Sequence, residues 1–176
     1  WQPRDTWTEE VAIVPDTIEE TFALLSHKDN KVAYAALKTL QAESERSPVV
    51  YSFMDRLGEM LDSDNSYLRT RALTLLAYNA RWDTDYKIDE VIDRYLTHIT
   101  DPKPITARQC IQLLPMLAKD KPELKEVILG ALHRANITIY AGSMQPLVYK
   151  DIQKALAEIE KLPANTGAEA GGTTSG

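Results

Sequence analysis

Apolar residues recur at helical spacing along most of this chain. In YKIDEVIDRYLTHI, Ile88, Val91, Ile92, Tyr95, Leu96 and Ile99 fall at i, i+3, i+4, i+7, i+8 and i+11. That is one continuous stripe down a helix. Leu124, Val127, Ile128, Ala131 and Leu132 repeat the pattern, and so do Val50, Phe53, Met54, Leu57 and Leu61. Helix starts are marked too. Thr17 with Glu20 reads as a capping box, and Asp120 stands ahead of Lys121-Pro122 with proline in a first turn. Pro115 lies inside a later apolar helix and is expected to kink or end it.

The pattern also repeats on a longer scale. ALLSHKDNKVAYAALKTL, EMLDSDNSYLRTRALTLL and THITDPKPITARQCIQLL each give an apolar helix end, an Asp-containing turn and a second apolar helix. Asp29, Asp64 and Asp101 mark the three turns. The spacing predicts four helical hairpins, at about 17–45, 48–81, 85–119 and 122–161, each with an outer helix A and an inner helix B. One hairpin cannot bury its own stripe, so the four must stack. Residues 1–16 read as an N-terminal arm beginning on Trp1, with an apolar VAIV that suits a cap on the first hairpin. Residues 162–176 have no hydrophobic pattern and are expected to be disordered.

MLDSDNSYLRTRALTLL resembles the HEAT repeat, an armadillo-like helical family, through an apolar–Arg pair early in helix B after an acidic turn. The resemblance covers about 17–161 and is strongest in the second hairpin. The first has Ala33 where the family has arginine, the third has Thr106 or Ala107, and ANITIYAGSM replaces the acidic turn of the fourth. The chain is also similar to short bacterial HEAT-like proteins loosely labelled SufBD-like, without the residues that would carry cluster-assembly chemistry. The fold the resemblance implies is an all-α, right-handed α-α superhelix, a solenoid of about four hairpins. It also implies an Asp–Arg ladder.

Charge separates the two arginines of that second helix B. On a helical wheel, Leu68, Ala72, Leu73, Leu75, Leu76 and Ala80 form an apolar arc that contains Arg69. A charge in a packed arc needs a partner, or its desolvation costs several kcal/mol. Asp62 and Asp64 in the preceding turn are the nearest candidates, which makes Arg69 structural. Tyr67, Arg71, Thr74 and Tyr78 fall opposite the arc, so Arg71 is expected to be free. The other B helices offer Tyr34 and Lys38, Arg108, and Lys154 at corresponding places. The A helices carry Glu19, Glu20, Asp55, Glu59, Asp89, Glu90, Asp93, Glu123 and Glu126. An acidic back with a mildly basic, tyrosine-bearing inner wall points to an acidic peptide or protein partner held by Tyr34, Lys38, Tyr67, Arg71, Tyr78, Arg108 and Lys154.

The remaining chemistry is thin. The formal net charge of −6 argues against nucleic acid. His27, His98 and His133 each end a helix A, where an imidazolium meets the helix dipole. They read as structural, about a repeat apart, and no metal or cofactor is expected. Cys110 sits in an apolar stripe as a small hydrophobe, and a single cysteine fits a reducing, cytoplasmic setting. No run approaches the length of a membrane span. Trp82 and Asp83 invite comparison with HEAT-like DNA glycosylases, but Trp82 is better placed to seal a hairpin junction. The expectation is therefore a non-enzymatic interaction or scaffold module, with a nucleic-acid-binding or DNA alkylation-repair-like protein as the alternative.

Overall fold

The computed structural model of the chain describes residues 17–164. The N-terminal arm 1–16 and the tail from 165 onward lie outside the described residues. Those described are all-helical, with no strand among them. Eight α-helices follow in order: α1 Ile18–Ala23, α2 Asn30–Arg46, α3 Met54–Met60, α4 Ser66–Asn79, α5 Lys87–Thr97, α6 Pro104–Asp120, α7 Lys125–Arg134 and α8 Gln145–Glu160. No described helix is long and apolar enough to cross a membrane.

The even-numbered helices pack in succession, α2 on α4, α4 on α6 and α6 on α8. Helices α1, α3 and α7 pack on α2, α4 and α8, and α5 reaches α6 through the 3-10 turn His98–Thr100. One apolar cluster runs from Phe22 to Ile159 and joins all eight. Leu40, Leu57, Leu73, Leu75, Ile88, Ile111 and Leu114 are fully buried in it. Each such side chain contributes roughly 1.5–3 kcal/mol over its exposed state. The three predicted stripes point inward, except that Val127 is exposed at the surface of α7.

The turns show a register that the carboxylates alone misplaced. Asp29, Asn65, Asp101 and Asn136 each accept the backbone N–H two residues on, from Lys31, Tyr67, Lys103 and Thr138, at 2.8–3.1 Å. The step between them is about 36 residues. Asn65 therefore holds the place predicted for Asp64, because the side-chain oxygen must sit two residues ahead of the N–H it satisfies. ANITIYAGSM keeps the same device through Asn136.

Three other expectations change. The Thr17 hydroxyl does accept the Glu20 N–H at 3.1 Å. Asp120, however, is the last residue of α6 and caps nothing; Lys121 precedes the 3-10 turn Pro122–Leu124. Helix α6 continues through Pro115. The missing ladder bond costs about 3 kcal/mol, and burial of Ile111, Leu114, Leu117 and Ala118 around it outweighs that. Leu162, assigned to the tail, packs against the core, and its carbonyl accepts a hydrogen bond from the Lys125 ammonium at 3.1 Å.

Candidate functional site

A groove of about 1010 Å³ lies across α2, α4 and α6. Each helix contributes a stripe at helical spacing: Tyr34, Lys38 and Gln41 from α2; Tyr67, Arg71, Thr74 and Tyr78 from α4; Ile105, Gln109 and Leu113 from α6. Lys31 and Lys103, at the starts of α2 and α6, also line it. At its floor the Thr70 and Thr106 hydroxyls meet at 2.9 Å, so α4 and α6 approach closely there.

The lining holds four cations, three tyrosines and no carboxylate, in a chain whose formal charge is −6. Tyr34 and Tyr67 are each 57% exposed and Ile105 is 71% exposed. These are large surfaces left to water on one face. The Lys38 ammonium lies over the Tyr34 ring at 5.1 Å, and the Arg71 guanidinium over the Tyr67 ring at 5.6 Å. Both rings are thereby held beside a cation.

Five of the predicted partner-binding residues thus share one groove: Tyr34, Lys38, Tyr67, Arg71 and Tyr78. Arg108 and Lys154 are outside its lining. Arg108 is committed to an ion pair with Asp151 of α8 at 2.6 Å, and Lys154 is an exposed residue of α8. Arg71 also departs from expectation. It is only 6% exposed and donates to the Leu25 carbonyl oxygen at 2.8 Å and to Asn30 Oδ1 at 3.2 Å. A wheel drawn for α4 alone does not show that the turn before α2 lies against it. Its charge has no carboxylate partner among the described residues, and burial pushes its pKa down.

Arg69 is buried and structural, but its partner is Asp101, not Asp62 or Asp64. Arg69 Nε and Nη2 meet the two Asp101 oxygens at 2.9 and 2.8 Å. Nη1 donates to the Ser63 and Asp64 carbonyls at 3.0 and 3.1 Å, while the Asp62 side chain pairs with Arg94 at 2.7 Å. Asp101 also bonds His98 Nδ1 at 2.7 Å and the Lys103 N–H at 2.8 Å. Burial works against its charge, yet these bonds outweigh it and hold the carboxyl well below the usual range. Tyr140 donates its hydroxyl to the Asp101 carbonyl at 2.6 Å, so the turn before α6 is fixed from three sides.

A second buried charge escaped the sequence reading. Lys121, 4% exposed, pairs with Asp83 at 3.1 Å, Asp89 at 2.8 Å and Glu123 at 2.9 Å. Burial opposes its charge, and the three carboxylates more than reverse that and raise its pKa. Asp83 is consumed structurally: it accepts from the Tyr51 hydroxyl and the Lys87 and Ile88 N–H groups at 2.7–2.9 Å, starting α5. Trp82 donates its indole N–H to the Ser44 carbonyl at 2.7 Å and joins the end of α4 to α2. The pair thus lies away from the groove lining. Among the helix-A acids, Glu19 pairs with Arg56, Asp55 with Lys87, and Asp89 and Glu123 with Lys121.

The histidines divide. His98 is buried on Asp101. His27 accepts the Asp29 N–H at 3.0 Å, and His133 faces Glu160 at 3.9 Å. No three His, Cys, Asp or Glu side chains among the described residues are grouped to hold a metal ion. Cys110 is fully buried, and burial raises its thiol pKa. Lys31, Lys103, Ile105, Gln109 and Leu113 are groove residues that sequence reasoning missed. Ile105, Gln109 and Leu113 recur at i, i+4 and i+8 along α6, a helical spacing that the sequence itself carries. No family model, curated protein or solved structure matches the chain.

Proposed function

We propose that the chain is a right-handed stack of four HEAT-like hairpins and a non-enzymatic interaction module that binds an acidic protein segment across α2, α4 and α6. The repeated turn geometry at 29, 65, 101 and 136 supports the four-unit reading. So does the succession of α2, α4, α6 and α8. The observation that carries the binding reading is the groove lining itself, with four cations, three tyrosines and no carboxylate on an otherwise acidic chain. Tyrosine and arginine are the usual anchors of such surfaces, and charge complementarity selects among partners.

The same lining favours a second reading, a single-stranded nucleic acid stacking on Tyr34, Tyr67 and Tyr78. Length argues for the peptide. The groove spans three helices, roughly 16–20 Å at 8–10 Å per helix step. About six extended residues cross that distance. The test is selection from a displayed random-peptide library, with a single-stranded oligonucleotide as competitor at physiological salt. Enrichment of acidic segments that the oligonucleotide does not displace supports the proposal. Enrichment of no acidic class, or full displacement by the oligonucleotide, contradicts it.

A further inference from the structure

Arg69 and Arg71 stand two residues apart on α4, and both are at least nine-tenths buried. Arg69 is neutralised by a carboxylate gripped at two points. Arg71 meets only neutral oxygens, the Leu25 carbonyl and the Asn30 amide. A buried guanidinium without a counter-ion is costly, and it has donors beyond the two used here. It also lines the groove, with the Tyr67 ring beside it. A ligand anion would supply the counter-ion that the chain withholds.

We infer that Arg71 is the anion receptor of the groove and that the preferred occupant is an extended segment of the form acid–x–acid–x–apolar. This rests on the groove reading above and names the class of peptide. An extended chain turns every second side chain to one face, about 7 Å apart, against helix steps of 8–10 Å. Alternate side chains therefore fall on successive helices, the remainder being within reach of lysine and arginine side chains. On α2 the wall presents Lys38 beside Tyr34, which suits the outer acid. On α4 it presents Arg71, which takes the central acid. On α6 it presents Ile105 and Leu113, which take the apolar residue. The central acid gains most, because its guanidinium partner is desolvated and held in place, whereas Lys38 is exposed to water.

The test leaves the protein unaltered and varies the probe, an acetylated Gly-Glu-Ser-Glu-Ser-Leu-Gly amide followed by calorimetry. Glutamine in place of the central glutamate is expected to weaken binding about tenfold or more. The same change at the outer glutamate is expected to weaken it less than about threefold. Saturation with the parent probe is expected to shift the Arg71 Nε–H resonance. Equal losses at the two glutamates with an unmoved Arg71 resonance overturn the inference. The groove reading survives that result if Lys38→Glu still weakens the parent probe. No binding of the parent up to about 1 mM also overturns it, and the groove reading then rests on the library selection alone.

Discussion

Arg69 and Asp101, thirty-two residues apart, meet as a two-point ion pair at the boundary between α4 and the turn before α6. The Asp101 side chain is wholly buried and the Arg69 side chain nearly so. Removing one partner strands the other charge. Arg69→Ala or Asp101→Ala is therefore expected to destabilise the fold by about 3–5 kcal/mol. Replacing both with apolar residues of similar size should recover much of that loss. Urea denaturation of the two single variants and the double variant measures both effects, and additive losses would contradict the pairing.

Acid should expose the same carboxylate. The folded pKa of Asp101 is depressed, because hydrogen bonds from His98, Arg69 and the Lys103 N–H outweigh the effect of burial. Its stabilising contribution is complete above the unfolded value of about 3.9. It is lost as pH falls from there through the folded value. Urea midpoints of the wild type should drop more steeply below about pH 4 than those of Asp101→Asn, which has no proton to take up. Parallel acid profiles would contradict this assignment.

Lys121 predicts a different variant with the same logic. Lys121→Met leaves Asp83, Asp89 and Glu123 facing one another without their cation. A loss of about 3–5 kcal/mol is expected. The folded pKa of Lys121 is raised, its three carboxylates overcoming burial. Its contribution is thus complete below the ordinary lysine value of about 10.4 and disappears only as pH rises through the folded value. Alkaline denaturation compared with Lys121→Met reads this directly.

How much of this was legible in the sequence depends on how local each cause is. The stripes of Ile88 to Ile99 and Val50 to Leu61 needed only a helical period, and they point inward. That Arg69 needed a partner followed from its place on the wheel. Which partner did not, because Asp62 and Asp64 are near in sequence while Asp101 is brought near only by packing of α4 against the turn before α6. Arg71 shows the same limit. It lines the groove with Tyr67 and Tyr78, yet it is buried rather than free. Its hydrogen bond goes to the Leu25 carbonyl, in the segment between α1 and α2, which no single-helix projection contains. Arg108 and Lys154 were placed by analogy between hairpins, and a neighbour again decided the outcome, Asp151 taking Arg108. Asp64 was mistaken for Asn65 because a count of acids ignores the two-residue reach that the turn requires.

Groove charge can be tested without touching the core. Lys38 and Lys103 are exposed, so Lys38→Glu with Lys103→Glu should leave stability within about 0.5 kcal/mol of the wild type. The double reversal should weaken binding of a library-selected acidic segment about tenfold, and its effect should shrink at high salt. Arg71→Glu is a poor substitute, since it also removes the donors to Leu25 and Asn30. Undiminished binding by the double variant, checked by fluorescence anisotropy, would contradict the groove assignment.

The most direct measurement is a map of backbone amide shifts as a selected acidic segment is titrated into the labelled protein. Perturbations gathered on Tyr34, Lys38, Tyr67, Tyr78 and Gln109, across three helices that are distant in sequence, are the predicted result. Perturbations confined to α7 and α8, or scattered along the helix-A surface with α2, α4 and α6 silent, would contradict the account.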